Sequence, residues 1–260
     1  MTVVPLADLV DGRKRIEQSV RLTIGVFDGL HAGHRELIKA IVEAEKPGGA
    51  CVITFPRNPQ QVLLPSQFPG LILSYGQKLS RLEELGVDTV VAIDFSHEMS
   101  KLSGRAFISL LRDNLNIEKI VVGENFRFGR SREAGSDDLR EMLFDTGIQV
   151  QVSQPVLRNN AIVSSSRIRK TIQEADFAEA RAMLLADYAI DLRGITGVER
   201  DSDTMLYERP LIEQVLPRPG RYRVLCDSGG KRCEAELEVF DDCILLTRDY
   251  REQATTVTFY

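Results

Sequence analysis

The stretch VRLTIGVFDGLHAGHRELIKAIVEAEK, residues 20–46, changes its hydrophobic period from one end to the other. Its first part, VRLTIGVF (20–27), is an apolar run that stops at the turn pair Asp28-Gly29. From Gly33 onward the apolar residues Leu37, Ile38, Ile41 and Val42 fall on one face of a helix. One strand, one tight turn and one helix are thus predicted within 27 residues. The pattern recurs outward. Strands are predicted over ACVITF (50–55), VDTVVAID (87–94), KIVVG (119–123) and IQVQVS (148–153). Helical patterns fit 76–85, with Gly86 as the stop, 104–115 and 137–146. Strand and helix in alternation predict an α/β fold with a parallel sheet and helices on its faces. Such sheets bind ligands at the carboxyl ends of their strands, which directs attention to the loops 26–34, 55–60 and 123–130.

The composition changes near residue 186. Beyond it come short strand-like runs: YRVLCD, the turn Ser228-Gly229-Gly230, RCEAELEVF, CILLTR and TTVTFY. AELEVF alternates as a half-buried antiparallel strand does. IQEADFAEARAMLLA (172–186) reads as a helix joining the two parts. The expectation is an α/β domain over 1–186 and a small antiparallel, barrel-like β domain over 187–260. No internal repeat or low-complexity stretch interrupts either.

The 260 residues are 43% hydrophobic and 27% charged, which excludes a mostly disordered chain. Thirty-three basic residues against 38 acidic ones leave a net charge of −5, the wrong balance for a duplex nucleic-acid binder. No apolar run approaches the roughly 18 residues of a membrane span. The opening MTVVPLADLVDGRKRIEQ meets two acids and a proline before any basic cluster, against the pattern of a secretory signal. The cytoplasm is the expected location. Cys51, Cys226, Cys233 and Cys243 form no C-x-x-C pair, so they read as reduced strand residues rather than zinc ligands.

Two of the three histidines lie in HAGH, as His31 and His34. They open a helix, whose free N–H groups and partial positive charge suit phosphate. Gly33 allows close approach of backbone or ligand, and two imidazoles can donate to phosphoryl oxygens. Fixed donors of this kind stabilise the charge that develops during attack at phosphorus, without a protein nucleophile. The plain structural alternative is a helix cap with two surface histidines. SSSRIR (164–169) offers a second helix start, with hydroxyls and the guanidinium groups of Arg167 and Arg169 suited to a triphosphate. Its alternative is a capped helix with solvated arginines. In GENFRFG (123–129), Phe126 and Phe128 point the same way if extended and can pack beside a flat ring, or simply enter the core. TFPRNP (54–59) sets Asn58 between two prolines just past a strand end, either a ligand loop or a plain connection. Neither a G-x-x-x-x-G-K-[ST] loop nor a strand-linked G-x-G-x-x-G is present, which removes the commonest NTPase and dinucleotide readings. His97 and the charge run from Arg127 to Glu133 read as surface.

TIGVFDGLHAGHRELI, TFPRNP, VVGENFRFG and VSSSRIR stand in the order and spacing of the bacterial FAD synthetases. These are the bifunctional riboflavin kinase/FMN adenylyltransferases, with an N-terminal module of the H-x-G-H nucleotidylyltransferase type. The resemblance covers roughly residues 15–186. It implies a Rossmann-like domain that moves AMP from ATP to FMN, giving FAD and pyrophosphate with Mg²⁺. Carried over by position, it makes His31, His34 and Arg167 the catalytic group. Gly25, Phe27, Asp28, Gly33, Ser164, Ser165 and Arg169 become the ATP site. Asn58, Pro59, Asn125, Phe126, Arg127 and Phe128 become the FMN side. No protein metal ligand and no obligate protein partner are implied.

The chain departs from the family at three places. Asn58 stands where the family commonly has His, Asn125 where many members have Asp, and the C-terminal P-T-A-N segment of the kinase module is missing. Asn58 can donate a hydrogen bond but carries no charge. The C-terminal part therefore resembles a degenerate kinase module, although PGRYRVLCD and CEAELEVFDD match the barrel's later strands. The leading expectation is FMN adenylyltransfer without riboflavin kinase activity. Its alternatives are a different acceptor (phosphopantetheine or nicotinate mononucleotide), a retained kinase, or a flavin- or nucleotide-binding protein without catalysis.

Overall fold

The apolar runs of the first half pair as one sheet. A computed structural model describes residues 1–43, 48–247 and 253–260. Along the chain come β1 (Thr2–Pro5), α1 (Leu6–Val10), β2 (Val20–Ile24), α2 (Ala32–Val42), β3 (Gly49–Thr54), α3 (Pro59–Leu63), α4 (Tyr75–Glu84) and β4 (Thr89–Ala92). They are followed by α5 (Gly104–Asn114), β5 (Ile117–Gly123), β6 (Arg127–Phe128), β7 (Ala134–Gly135), α6 (Ser136–Leu143) and β8 (Gln149–Ser153). The sheet order is β1-β4-β3-β2-β5-β8, parallel at every pairing. The five expected strands are all in it. The edge strand β1 has no counterpart in the sequence reading, because four residues ending in proline carry little periodic signal.

Alternation along β2 sends side chains to two covered faces. Val20, Leu22 and Ile24 join a buried cluster with Leu6 and Leu9 of α1, Phe107, Ile108 and Leu111 of α5, and Leu139 and Leu143 of α6. Arg21 lies on the opposite face, where its Nε donates to the carbonyl of Ile41 on α2 at 2.8 Å. A sheet covered by helices on both faces is the doubly wound, Rossmann-like arrangement. The expected strand 20–27 is shorter in the structure. β2 ends at Ile24, since Phe27 has φ +50° and cannot continue an extended chain. Residues 44–46 of the expected helix lie outside the described residues.

The chain divides by packing into two units, 1–68 with 79–162 and 69–78 with 163–260. The second unit holds α7 (Ser165–Gln173) and α8 (Phe177–Leu184), preceded along the chain by the hairpin β9 (Leu157–Arg158) and β10 (Ala161–Ile162) of the first. The single joining helix expected over 172–186 is in fact two helices. Ala175 takes φ +60°, and Asp176 caps the second helix by accepting from Glu179 N–H at 3.1 Å. Composition changes near 186, whereas packing changes at 162. The helical segment between belongs with the second unit because Phe177 stacks on Phe259, ring centroids 4.4 Å apart.

After α8 come β11 (Ala189–Asp191), β12 (Val198–Glu199), β13 (Thr204–Glu208), β14 (Gly220–Ser228), β15 (Lys231–Val239), β16 (Cys243–Thr247) and β17 (Thr256–Phe259). They form one antiparallel sheet in the order β11-β17-β14-β15-β16-β13-β12. Among the described residues its end strands β11 and β12 do not pair with each other, so the barrel-like sheet is open. The turn Gly229-Gly230 joins β14 to β15 with φ +53° and +80°, as a two-residue hairpin loop requires. The sequence runs expected as strands appear as β14 to β17, except that Arg248 of CILLTR lies outside the described residues. β11, β12 and β13 were not expected, being short and without clear alternation.

Candidate functional site

Chain order and sheet order locate the crevice. From β2 the chain proceeds through β3 and β4 toward one edge, and afterwards through β5 and β8 toward the other. The direction reverses between β2 and β5, and in open α/β sheets ligands bind at the carboxyl ends beside such a reversal. Three of the four motifs lie there, after the adjacent strands β3, β2 and β5: TFPRNP, FDGLHAGH and GENFRFG.

The loop after β2 is tightly wound and buried. Phe27 (φ +50°) and Leu30 (φ +45°) both take left-handed backbone, which branched or bulky residues adopt only when the surroundings hold them. Phe27, Asp28 and Leu30 are at most 3% exposed. Thr54, at the end of β3, donates from Oγ1 to Val26 O at 3.1 Å, and Arg35 Nε donates to Leu30 O at 3.2 Å. These two positioning residues escaped the sequence reading. Their signals were a threonine closing an apolar strand and an arginine one residue past HAGH.

The loop delivers His31 to the cap position of α2. His34 N–H donates to His31 Nδ1 at 3.4 Å, and the two imidazole rings stack with centroids 3.7 Å apart and planes 17° apart. Phe27 meets the edge of the His34 ring at 5.1 Å. A Cβ on Gly33 would sit 3.4 Å from the His31 ring, so glycine leaves the imidazole its place. The first turn of α2 carries no acidic residue, and its N–H groups present partial positive charge. Burial pushes His31 down from 6.5 to about 4, so the ring is neutral at physiological pH. Because Nδ1 accepts, the ring's proton sits on Nε2, which is the donor.

This pKa has a consequence for stability. Unfolding frees a ring that takes up a proton below pH 6.5, whereas the folded ring resists until about pH 4. The neutral ring's contribution is therefore complete above 6.5 and is lost as the pH falls from 6.5 to 4. Urea unfolding at pH 7 and pH 5 should show a His31-dependent loss of about 2 kcal/mol. His31→Asn, which keeps a cap, should lose correspondingly less over the same interval; an equal loss would remove His31 from the account.

Asn58 is 8% exposed, and its Oδ1 accepts from Gln60 N–H at 2.9 Å. Pro59 follows as the first residue of α3, where its missing N–H and fixed φ are tolerated. The loop expected here is thus a capped helix start. Asn58→Ala should destabilise the chain by about 1 kcal/mol, and Asn58→Asp should restore it, as read by denaturant midpoint.

In GENFRFG, Asn125 and Arg127 are exposed. Phe126 and Phe128 stack with centroids 5.2 Å apart, as their shared direction predicts. Phe128 is 7% exposed and packs in the buried cluster, while Phe126 is only partly buried against it. Gly25, just past the end of β2, donates its N–H to Ile53 O at 3.0 Å.

VSSSRIR belongs to the second unit. Ser164 caps α7 by accepting from Arg167 N–H at 3.3 Å, and Ser165 is its first residue. Arg167 pairs with Glu179 at 2.8 Å and is partly exposed. Arg169 is 7% exposed and donates from Nε to Gly70 O at 2.8 Å.

Residues 13–167 match the sequence model of a family described as FAD synthetase. The bifunctional riboflavin kinase/FMN adenylyltransferase of Escherichia coli (strain K12) is 31% identical over 208 residues, 78% of this chain and 66% of that protein. The chain thus spans just under two thirds of that relative. FAD synthetase of Listeria monocytogenes serovar 1/2a is 29% identical over 231 residues, 87% of this chain and 86% of its own length. A solved structure described as a macrolide-efflux protein from Streptococcus pneumoniae matches 100% of this chain and 89% of its own, with a TM-score of 0.82 at 24% identity. That likeness shows the fold, a parallel α/β sheet followed by an antiparallel barrel-like one. With four motifs in family order and the family model matched from residue 13 to 167, the chain belongs to the FAD synthetase family.

Proposed function

We propose that the chain transfers AMP from ATP to the phosphate of FMN, forming FAD and pyrophosphate, and that it does not phosphorylate riboflavin. The observation that carries the reading is the stacked pair His31 and His34 at the start of α2, beside the reversal point of the sheet. An FMN phosphate oxygen attacks the α-phosphorus of ATP, and the bond to the pyrophosphate oxygen breaks in line. No protein nucleophile is needed. Positioning the two reactants and stabilising the charge on the phosphoryl oxygens supply the rate. A neutral His31 does this as an Nε2–H donor, together with the free N–H groups of α2, and not as a cation.

On this reading Gly25, Phe27, Asp28, Gly33, Ser164, Ser165 and Arg167 serve ATP, and Arg169, expected beside them, supports the backbone at Gly70. Asn58, Pro59, Asn125, Phe126, Arg127 and Phe128 serve FMN. Arg167 is the more available of the two arginines, since Arg169 is buried with its Nε on Gly70 O. Among the described residues no three His, Cys, Asp or Glu side chains gather to hold a metal. Mg²⁺ would arrive on the ATP phosphates with its own waters and neutralise phosphate charge. Loss of kinase activity rests on the missing P-T-A-N. The reading places the work in the cytoplasm, with small-molecule substrates and no obligate protein partner. Among the described residues, no helix is long and apolar enough to cross a membrane.

The test is chromatography of products after incubating the chain with ATP and Mg²⁺, with riboflavin and FMN in separate tubes. FAD from FMN, with riboflavin untouched, is the expected result. FMN or FAD in the riboflavin tube would show a working kinase module. No product in either tube would move the assignment to another acceptor or to binding alone.

A further inference from the structure

The second unit places two cysteines directly opposite one another. Cys226 on β14 and Cys233 on β15 are register partners in the hairpin closed by Gly229-Gly230, and neither is in a disulfide. Side chains of directly paired antiparallel residues project to the same face, with Cβ atoms about 4.5–5.5 Å apart. A disulfide draws them to about 3.5–4.5 Å, a small approach that strains the hairpin and leaves the bond easily reduced. The two thiols differ in access. Cys226 is fully buried, whereas Cys233 is partly exposed.

We propose that Cys226 and Cys233 form a reversible thiol–disulfide site, oxidised by a low-molecular-weight disulfide. The Cys233 thiolate attacks one sulfur of the oxidant, forming a mixed disulfide and releasing one small thiol. The Cys226 thiol then gives up its proton and attacks the Cys233 sulfur, expelling the second small thiol. The protein loses two electrons and two protons, and the oxidant becomes two thiols. A reducing compartment holds the pair open, and the link forms when the surrounding thiol pool is oxidised.

The test uses the full chain and oxidised glutathione, followed by denaturation, alkylation and peptide mass mapping. Alkylatable thiols should fall from the four in the sequence to two, with one cross-linked peptide joining Cys226 to Cys233. Dithiothreitol should restore all four. Cys226→Ser should trap glutathione on Cys233, because the resolving thiol is gone. Cys233→Ser should leave Cys226 unmodified in the folded chain, because it is buried. Four alkylated thiols after oxidation, or a link through Cys51, Cys243 or a second chain, would overturn the proposal. The wild-type mapping stands by itself if either variant folds poorly.

Discussion

On the proposed function, His31→Ala should lower turnover of FMN adenylyltransfer about 10²–10³-fold while changing ATP affinity little, the loss typical of removing one fixed donor to a transition-state oxygen. The geometry sets this expectation. His31 is 6% exposed, its Nδ1 is engaged by His34 N–H, and its ring stacks on His34. The remaining donor, Nε2–H, is held before substrate arrives and need not reorganise. His31 is also the cap of α2, so alanine removes an acceptor from the helix start as well. Asparagine at 31 separates the two roles: it caps well but places its donor elsewhere, so it should recover stability without recovering turnover. Removing His34 as well should add less than the product of the two single losses, because the stacked rings act as a unit. Steady-state FAD formation, paired with an equilibrium measurement of ATP binding, decides the matter. Full turnover in His31→Ala would defeat the assignment.

The second large effect separates two arginines that look equivalent in SSSRIR. Arg169→Ala should destabilise the chain by about 2–4 kcal/mol, since it removes the donor to a buried carbonyl, Gly70 O, and leaves a space behind. Its melting temperature should fall by roughly 5–10 °C. Arg167→Ala breaks a partly exposed pair with Glu179 and should lower the melting temperature less than Arg169→Ala does. Its loss should appear in AMP transfer instead. Thermal unfolding and ATP kinetics on the two variants answer the question together. An Arg169→Ala protein that melts normally yet fails to turn over would reverse the roles.

The parallel sheet was legible because its strands are buried on both faces and read as continuous β-branched runs, as in ACVITF and KIVVG. HAGH was legible because a period-2 run changes to a period-3.6 run within a few residues, which marks a helix start. Other features left no such trace. β1 is too short for a period, and β11 to β13 lack alternation. The break between α7 and α8 rests on one residue, Ala175, taking φ +60° in an otherwise helical composition. Asn58 reads as a departure from its family, and only the structure shows it accepting from Gln60 N–H as a cap.

Sequence by itself determined the α/β order, the antiparallel C-terminal strands and the motifs that define the family. Each depends on neighbours a few residues apart, whose types and spacing the chain carries directly. Tertiary structure alone decided that HAGH and GENFRFG flank the reversal between β2 and β5. It also decided that burial holds His31 neutral, that Arg169 is bound to Gly70, and that Cys226 faces Cys233. Each of these depends on residues brought together by sheet order, strand register or burial. Such contacts arise when separate segments pack, and no local period encodes them.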